Sequence, residues 1–227
     1  MKTAGESMKL SATTLSAEID QLLERAIIEG RFRPGQRLIA EELAEDFGVS
    51  RIPVRESLRA LDAAGWVEIR PRHGVYVRRW SRTELEQLFE VRTLLAGESA
   101  RLAAKRRDAE HLLQLNTNQA LYENAIVVDS PEVPELNRQF HQIIATATAN
   151  EVLSDHLDKI ERRVQWYFFS VTNARSPGSA REHRELLDAL EARDAGRAKK
   201  LMMAHVGRTR AAIAEVLAQL NPDLIDL

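Results

Sequence analysis

Two helix-period segments joined by three residues, followed directly by a strand-period hairpin, constrain this chain more than any other feature. "AEELAEDFG" turns Leu43, Ala44 and Phe47 to one side and stops at Gly48. "VSRIPVRESLRALDAAG" predicts a second helix with Ser50 as its N-cap, Pro53 tolerated in the first turn and Gly65 as its end. Two helices across a short glycine-containing turn make a helix-turn-helix. "WVEIRPRHGVYVRR" then alternates Val67 and Ile69 with Val75 and Val77 about a "PRHG" tip, the pattern of a hairpin. Upstream, Ile19, Leu22, Leu23, Ala26 and Ile27 predict a helix capped by Ser16 and stopped by Gly30, and "RFRPGQRL" reads as a turn on Pro34 and Gly35. Residues 16–80 thus predict a winged helix, after a loose start over residues 1–15.

The formal net charge of −2 hides a local excess. Between Arg51 and Arg79 lie seven arginines (51, 55, 59, 70, 72, 78 and 79) against Glu56, Asp62 and Glu68, a balance of +4. Nucleic acid meets such a patch, not the total. Arg51, Arg55 and Arg59 recur every four residues and share a face opposite Val54, Leu58 and Leu61. On a helix in the major groove, such a face can pair with guanine O6 and N7. The bland alternative is a solvated face with salt bridges to Glu56 or Asp62.

Composition removes several other classes. With 44% apolar and 29% charged residues the chain reads as globular. It has no cysteine, which excludes disulfides, thiolate metal sites and cysteine nucleophiles. "MKTAGESMKLSATTL" lacks the apolar core of a signal peptide, and no run approaches 18 apolar residues, so the cytoplasm is the expected location.

From Ser81 onward helical periodicity takes over. Ser81 and Glu84 stand in capping-box register before a stripe of Leu85, Leu88, Val91, Leu95 and Leu102. Five further helices are expected within residues 108–127, 130–149, 151–172, 179–193 and 194–220, the second of these opening at Ser130–Pro131 and the fourth with Ser179 and Glu182 again in capping register. Residues 81–220 predict an antiparallel bundle of about six helices, a fold that places ligand and metal sites in its interior, with 221–227 as a tail. The fold class is mainly α with one small β wing.

Within this bundle "NRQFH" sets Asn137 and His141 one helical turn apart, so both project the same way. Of six histidines, His141, His183 and His205 fall in three different helices. Imidazoles from separate helices can converge on one cation, with an oxygen donor completing the set. His111 and His156 fit surface or satisfied structural roles. A cation with a guanidinium nearby suits a small carboxylate; Arg92, Arg162 and Arg163 are the candidates, and the sequence leaves open which one faces inward. "QWYFF", Gln165–Phe169, reads as core or dimer packing, with one ring at a pocket edge as the other option.

"GRFRPGQRLIAEELAEDFGVSRIPVRESLRALDAAGWVEIRPRHGVYV" resembles the DNA-binding domain of the GntR family of bacterial transcription regulators, in its FadR branch, through the "PG" turn, "GVSR", "PVRE", "LRALDAAG" and the glycine-tipped wing. The resemblance implies Arg51, Arg55 and Arg59, with Ser50 beside them, as contacts to operator bases and phosphates, and His73 and Gly74 at a wing tip entering the minor groove.

"EHRELLDALEARDAGRAKKLMMAHV", with the "NRQFH" helix, is similar to the FCD ligand-binding domain that accompanies this DNA-binding domain, over roughly Arg82 to Ala218. Metal-binding members carry an Asp or Asn one turn before a first His, the His of an "EH" pair and a His of the last helix; these positions are Asn137, His141, His183 and His205. The resemblance implies a divalent metal (zinc, or nickel or manganese), a small organic acid effector, a homodimer on a pseudo-palindromic operator, and repression of a neighbouring catabolic operon. Two departures stand out. Asn137 replaces the commoner Asp, and Ala96 occupies the place where a Glu often follows the arginine corresponding to Arg92, with Glu98 out of register. A metal-dependent hydrolase with a DNA-binding appendage is the competing class, since an open three-histidine site can activate water; it lacks an evident general base, because Glu182 would point about 100° away from His183.

Overall fold

The computed structural model describes residues 11–168, 172–219 and 225–226, which divide into two compact units, Met1–Trp80 and Ser81–Leu227. Residues 1–10 of the expected loose start, most of the expected 221–227 tail and Phe169 of "QWYFF" lie outside the described residues.

In the first unit, helix α1 (Ser11–Ile28) precedes α2 (Ala40–Phe47) and α3 (Arg51–Ala63). Ile19, Leu23 and Ile27 of α1 meet Val54, Leu58 and Leu61 of α3 in a core from which water is excluded. Gly48 takes φ 65° and accepts the left-handed turn that a side chain would strain, ending α2 three residues before α3 starts. Strands β2 (Val67–Arg70) and β3 (Gly74–Val77) form the hairpin in the register Val67↔Val77 and Ile69↔Val75.

Three expectations change here. Helix α1 begins before Ser16, whose hydroxyl donates to Glu56 at 2.8 Å instead of capping. Arg37–Leu38, expected in a turn, is a strand β1 on the far side of β3, giving a sheet of order β1-β3-β2. Of the four alternating apolar residues only Val67 and Val77 are buried; Ile69 is exposed, because the hairpin runs outward from its core.

The second unit contains six helices among the described residues: α4 (Arg82–Arg106), α5 (Ala109–Val127), α6 (Val133–Thr146), α7 (Glu151–Phe168), α8 (Thr172–Glu191) and α9 (Ala195–Gln219). Of the stripe expected on α4 only Leu85 is buried. Leu88, Leu95 and Leu102 are half-buried and Val91 is exposed, while Phe89, Ala96, Gly97, Ala100 and Ala103 are buried. Small residues win that face because α9 lies close: a Cβ on Gly97 would sit 2.7 Å from Met203 Cγ.

Helix starts also shift. Ser81 accepts from Glu84 N–H at 3.2 Å, but the Glu84 carboxylate turns to Arg163 and Tyr167, so only half of the capping box forms. Helix α6 starts at Val133, with Ser130 Oγ accepting from Glu132 N–H in the preceding turn. Helix α8 runs through Pro177, so Ser179 and Glu182 lie inside it and cap nothing.

Candidate functional site

The DNA-facing candidates lie on the first unit. Arg51, Arg55 and Arg59 are exposed along α3, opposite the buried Val54, Leu58 and Leu61. The acids expected as their bland partners are engaged elsewhere: Glu56 accepts from Ser16, and Asp62 Oδ1 accepts from Ile69 N–H at 3.0 Å. Arg51 Nη1 and Arg55 Nη2 instead both donate to Glu41 Oε1 on α2, at 3.2 and 3.3 Å. The Arg51 hydrogen bond holds the Glu41 carboxyl below the usual carboxylate range. Arg59 makes no ion pair among the described residues. Ser50 has the extended backbone of an N-cap, yet its side chain makes no cap hydrogen bond, contrary to expectation.

At the wing, His73 is exposed and its carbonyl accepts from Tyr76 Oη at 3.1 Å. Gly74 has φ 116°, and a Cβ there would lie 2.9 Å from Arg37 Nε, so both conformation and space favour glycine. Beside the tip, the Arg70 guanidinium stacks over the Tyr76 ring at 4.6 Å.

In the second unit, α6, α8 and α9 bring His141, His183 and His205 together. All three are buried, and one ring nitrogen of each lies within 4.8 Å of the others. His141 Nε2 and His205 Nε2 face each other at 3.2 Å. His183 stacks on Phe140 at 4.0 Å with rings nearly parallel, which fixes its plane. His205 Nδ1 donates to Glu182 Oε2 at 2.6 Å, so its Nε2 carries the lone pair turned into the cluster. The donor set suits a divalent cation: nitrogens about 2.0–2.1 Å from one ion at tetrahedral to octahedral angles stand roughly 2.9–3.4 Å apart, a spacing that His141 and His205 already hold, with His183 within 4.8 Å of both. A carboxylate behind a ligating imidazole is the usual supporting arrangement.

Asn137 is half-buried and lines a pocket with His205, Arg92, Arg138, Gln165 and Ser179. The pocket encloses about 470 Å³ including its open mouth. Of the three candidate arginines only Arg92 reaches it. Arg92 is buried and forms two parallel 2.8 Å bonds to Glu161 of α7, while its Nη1 is buried without a hydrogen-bond partner among the described residues. Arg162 and Arg163 do not line the pocket: Arg162 pairs with Asp158, and Arg163 donates to Glu84 at 2.9 Å and lies over the Trp166 ring. Of the "QWYFF" aromatics, Trp166 and Tyr167 are buried core, whereas Gln165 lines the pocket.

Sequence reasoning passed over four residues. Glu182 serves His205, not the adjacent His183, and its other oxygen accepts from Arg208. Glu161 supplies Arg92 with the carboxylate that Ala96 does not. Ser179, expected as a cap, is buried and lines the pocket. Arg138 stands inside "NRQFH" itself and also lines the pocket, paired with Glu135 at 2.6 Å. The "EH" pair and the run "NRQFH" were the available signals; which neighbour each side chain serves depends on the partner helix.

Comparisons with known proteins agree with this architecture. Residues 15–77 match the bacterial regulatory proteins of the gntR family, and residues 87–208 match the FCD domain. The HTH-type transcriptional regulator LutR of Bacillus subtilis is 31% identical over 206 residues, covering 79% of this chain and 92% of that one. A probable D-xylose utilization operon transcriptional repressor of Paenarthrobacter nicotinovorans is 28% identical over 202 residues, covering 88% and 89%. The solved structure of E. coli McbR/YncC shares the fold, with a TM-score of 0.78 at 22% identity over 89% of this chain and 98% of that one. These relatives are transcription regulators and not enzymes. With its winged helix matched at one end and its helical bundle at the other, the chain belongs to the GntR family of bacterial transcription regulators and carries an FCD domain.

Proposed function

We propose that this protein is a cytoplasmic, homodimeric repressor whose operator affinity is set by a small carboxylate metabolite bound beside a divalent cation in the FCD domain. The carrying observation is the meeting of three buried histidines, one of which, His205, lines a pocket together with the buried, incompletely bonded Arg92. His141, His183 and His205, with the amide oxygen of Asn137, would hold the cation, with zinc, nickel and manganese as the candidates. Bound there, a divalent cation supplies a positive anchor for one carboxylate oxygen. Arg92 engages the other oxygen or a second acidic group through Nη1 and, by exchange, through the edge now given to Glu161.

That exchange gives a route to regulation. The Arg92–Glu161 pair ties α4 to α7, and α4 begins at Arg82, two residues after the DNA-binding unit ends at Trp80. An effector that takes Arg92 from Glu161 loosens this tie and shifts the population of operator-competent dimers. On DNA, Arg51, Arg55 and Arg59 with Ser50 approach the major groove of each half-site, while His73 and Gly74 approach the minor groove. No helix among the described residues is long and apolar enough to cross a membrane. The D-xylose relative's description, a repressor of a utilization operon, supports a catabolic target.

The test is a gel-shift series with the zinc-loaded protein on duplexes from its own upstream region, challenged with a panel of small hydroxy and dicarboxylic acids. Release of the duplex by one acid class is the expected result, with calorimetric binding of that acid lost in Arg92→Ala. Release by no acid, or acid binding unaffected by Arg92→Ala, would refute the effector assignment.

A further inference from the structure

One carboxylate oxygen serves both leading arginines of the DNA-reading face. Glu41 Oε1, in the first turn of α2, accepts from Arg51 Nη1 at 3.2 Å and from Arg55 Nη2 at 3.3 Å. Each guanidinium spends a single N–H group on this contact, and a guanidinium has five. The remaining donors keep a two-pronged edge on each residue, the edge that guanine O6 and N7 require. All three side chains are exposed, so the contacts add little to fold stability and nothing in the core requires them. Glu42, next in sequence, is equally exposed and makes no ion pair among the described residues, so a negative charge in this turn does not by itself engage the arginines.

We infer that Glu41 is a specificity-determining residue: by holding Arg51 and Arg55 on one shared oxygen it aims their free edges at bases and keeps them off phosphate. The inference rests on the reading of Arg51 and Arg55 as base contacts. Phosphate attracts any arginine regardless of sequence and supplies most non-specific affinity. An arginine that reaches for phosphate must leave Glu41 and strand a carboxylate against the DNA backbone. An arginine that reads guanine keeps its bond to Glu41. The internal carboxylate therefore penalises wrong sequences more than the right one, which is how specificity arises as a difference of affinities.

The test compares Glu41→Gln with Glu42→Gln, two substitutions that remove the same charge one residue apart. The probes are a 25-base-pair duplex recovered by in vitro selection with the wild-type protein and a scrambled duplex of the same composition, with affinities read by fluorescence anisotropy over a salt series. Glu42→Gln should tighten both duplexes alike and leave their ratio unchanged. Glu41→Gln should lower the ratio by about tenfold, the scale of one good base contact, mostly through tighter binding of the scrambled duplex with a steeper salt dependence, at an unchanged melting temperature. If Glu41→Gln shifts both duplexes by the same factor as Glu42→Gln while Arg51→Ala and Arg55→Ala still lower the ratio, the role assigned to Glu41 is wrong. If the two arginine variants leave the ratio intact, the base-reading assignment falls and this inference falls with it.

Discussion

His205 Nδ1 donates to the Glu182 carboxylate at 2.6 Å, and this bond turns the other nitrogen of the ring toward His141 Nε2, 3.2 Å away. Glu182 thus sets the tautomer of a residue 23 positions later in the chain. Glu182→Gln keeps the shape but can present an N–H to Nδ1, which favours the tautomer with its proton on Nε2. Cation affinity should fall by roughly 10–100-fold, with operator binding by the effector-free protein unchanged. Competition with a colorimetric zinc chelator measures this, and an unaltered zinc affinity would remove Glu182 from the site.

Arg51→Ala and Arg55→Ala should each weaken operator binding by about 1–3 kcal/mol without lowering the melting temperature, since both side chains are exposed. Salt titration separates their roles. Loss of sequence preference at constant salt slope marks base readout, whereas a slope shallower by about one marks a phosphate contact. Full operator affinity in both variants would mean that another surface reads the DNA.

In the Arg92–Glu161 pair Arg92 is buried and Glu161 half-buried, so breaking it from one side costs more than removing it. Arg92→Ala should destabilise the protein by roughly 3–5 kcal/mol, because Glu161 is left without its partner, and adding Glu161→Ala should recover part of that loss. Urea denaturation of the two single variants and the double variant checks the coupling. Strictly additive losses would contradict a direct pair.

Asn137→Asp places a charged oxygen where a neutral amide now lines the pocket with His205. It should tighten zinc and weaken a carboxylate effector, because a second anion then stands beside the effector's place. Calorimetry with zinc, then with the acid, reads the two changes separately. Movement of both affinities in the same direction would argue against a shared site.

Much of this was legible in the sequence, for identifiable reasons. Gly48, Gly65 and the alternation about "PRHG" are local signals, and helices α2 and α3 and the hairpin lie where those signals place them. Periodicity likewise separated Val54, Leu58 and Leu61 from the arginine face. The convergence of His141, His183 and His205 was legible only through resemblance, since no spacing on one helix brings three helices together. What the sequence hid was set by the partner of each side chain. Ser179 looked like a cap because a box needs only local spacing, yet α8 starts upstream and turns Ser179 into the pocket wall. Arg162 and Arg163 looked equivalent to Arg92, and only the packing of α4 against α7 distinguishes them. Arg37–Leu38 is too short to show a strand period, and it pairs with residues almost forty positions away.

The central claim, that the histidine cluster is a metal centre on which effector control depends, is tested most directly by metal analysis of the purified protein with melting temperatures of its ligand variants. After reconstitution with zinc and removal of excess, the wild type should hold about one divalent cation per chain. Its melting temperature should fall on chelation, since a ligand at a hundredfold excess over Kd stabilises the folded form by about 2.7 kcal/mol. His141→Ala and His205→Ala should each hold no cation and show no such fall. No bound cation after reconstitution with zinc, nickel or manganese, together with wild-type melting temperatures in both variants, would contradict the claim and leave the three imidazoles as packed core side chains.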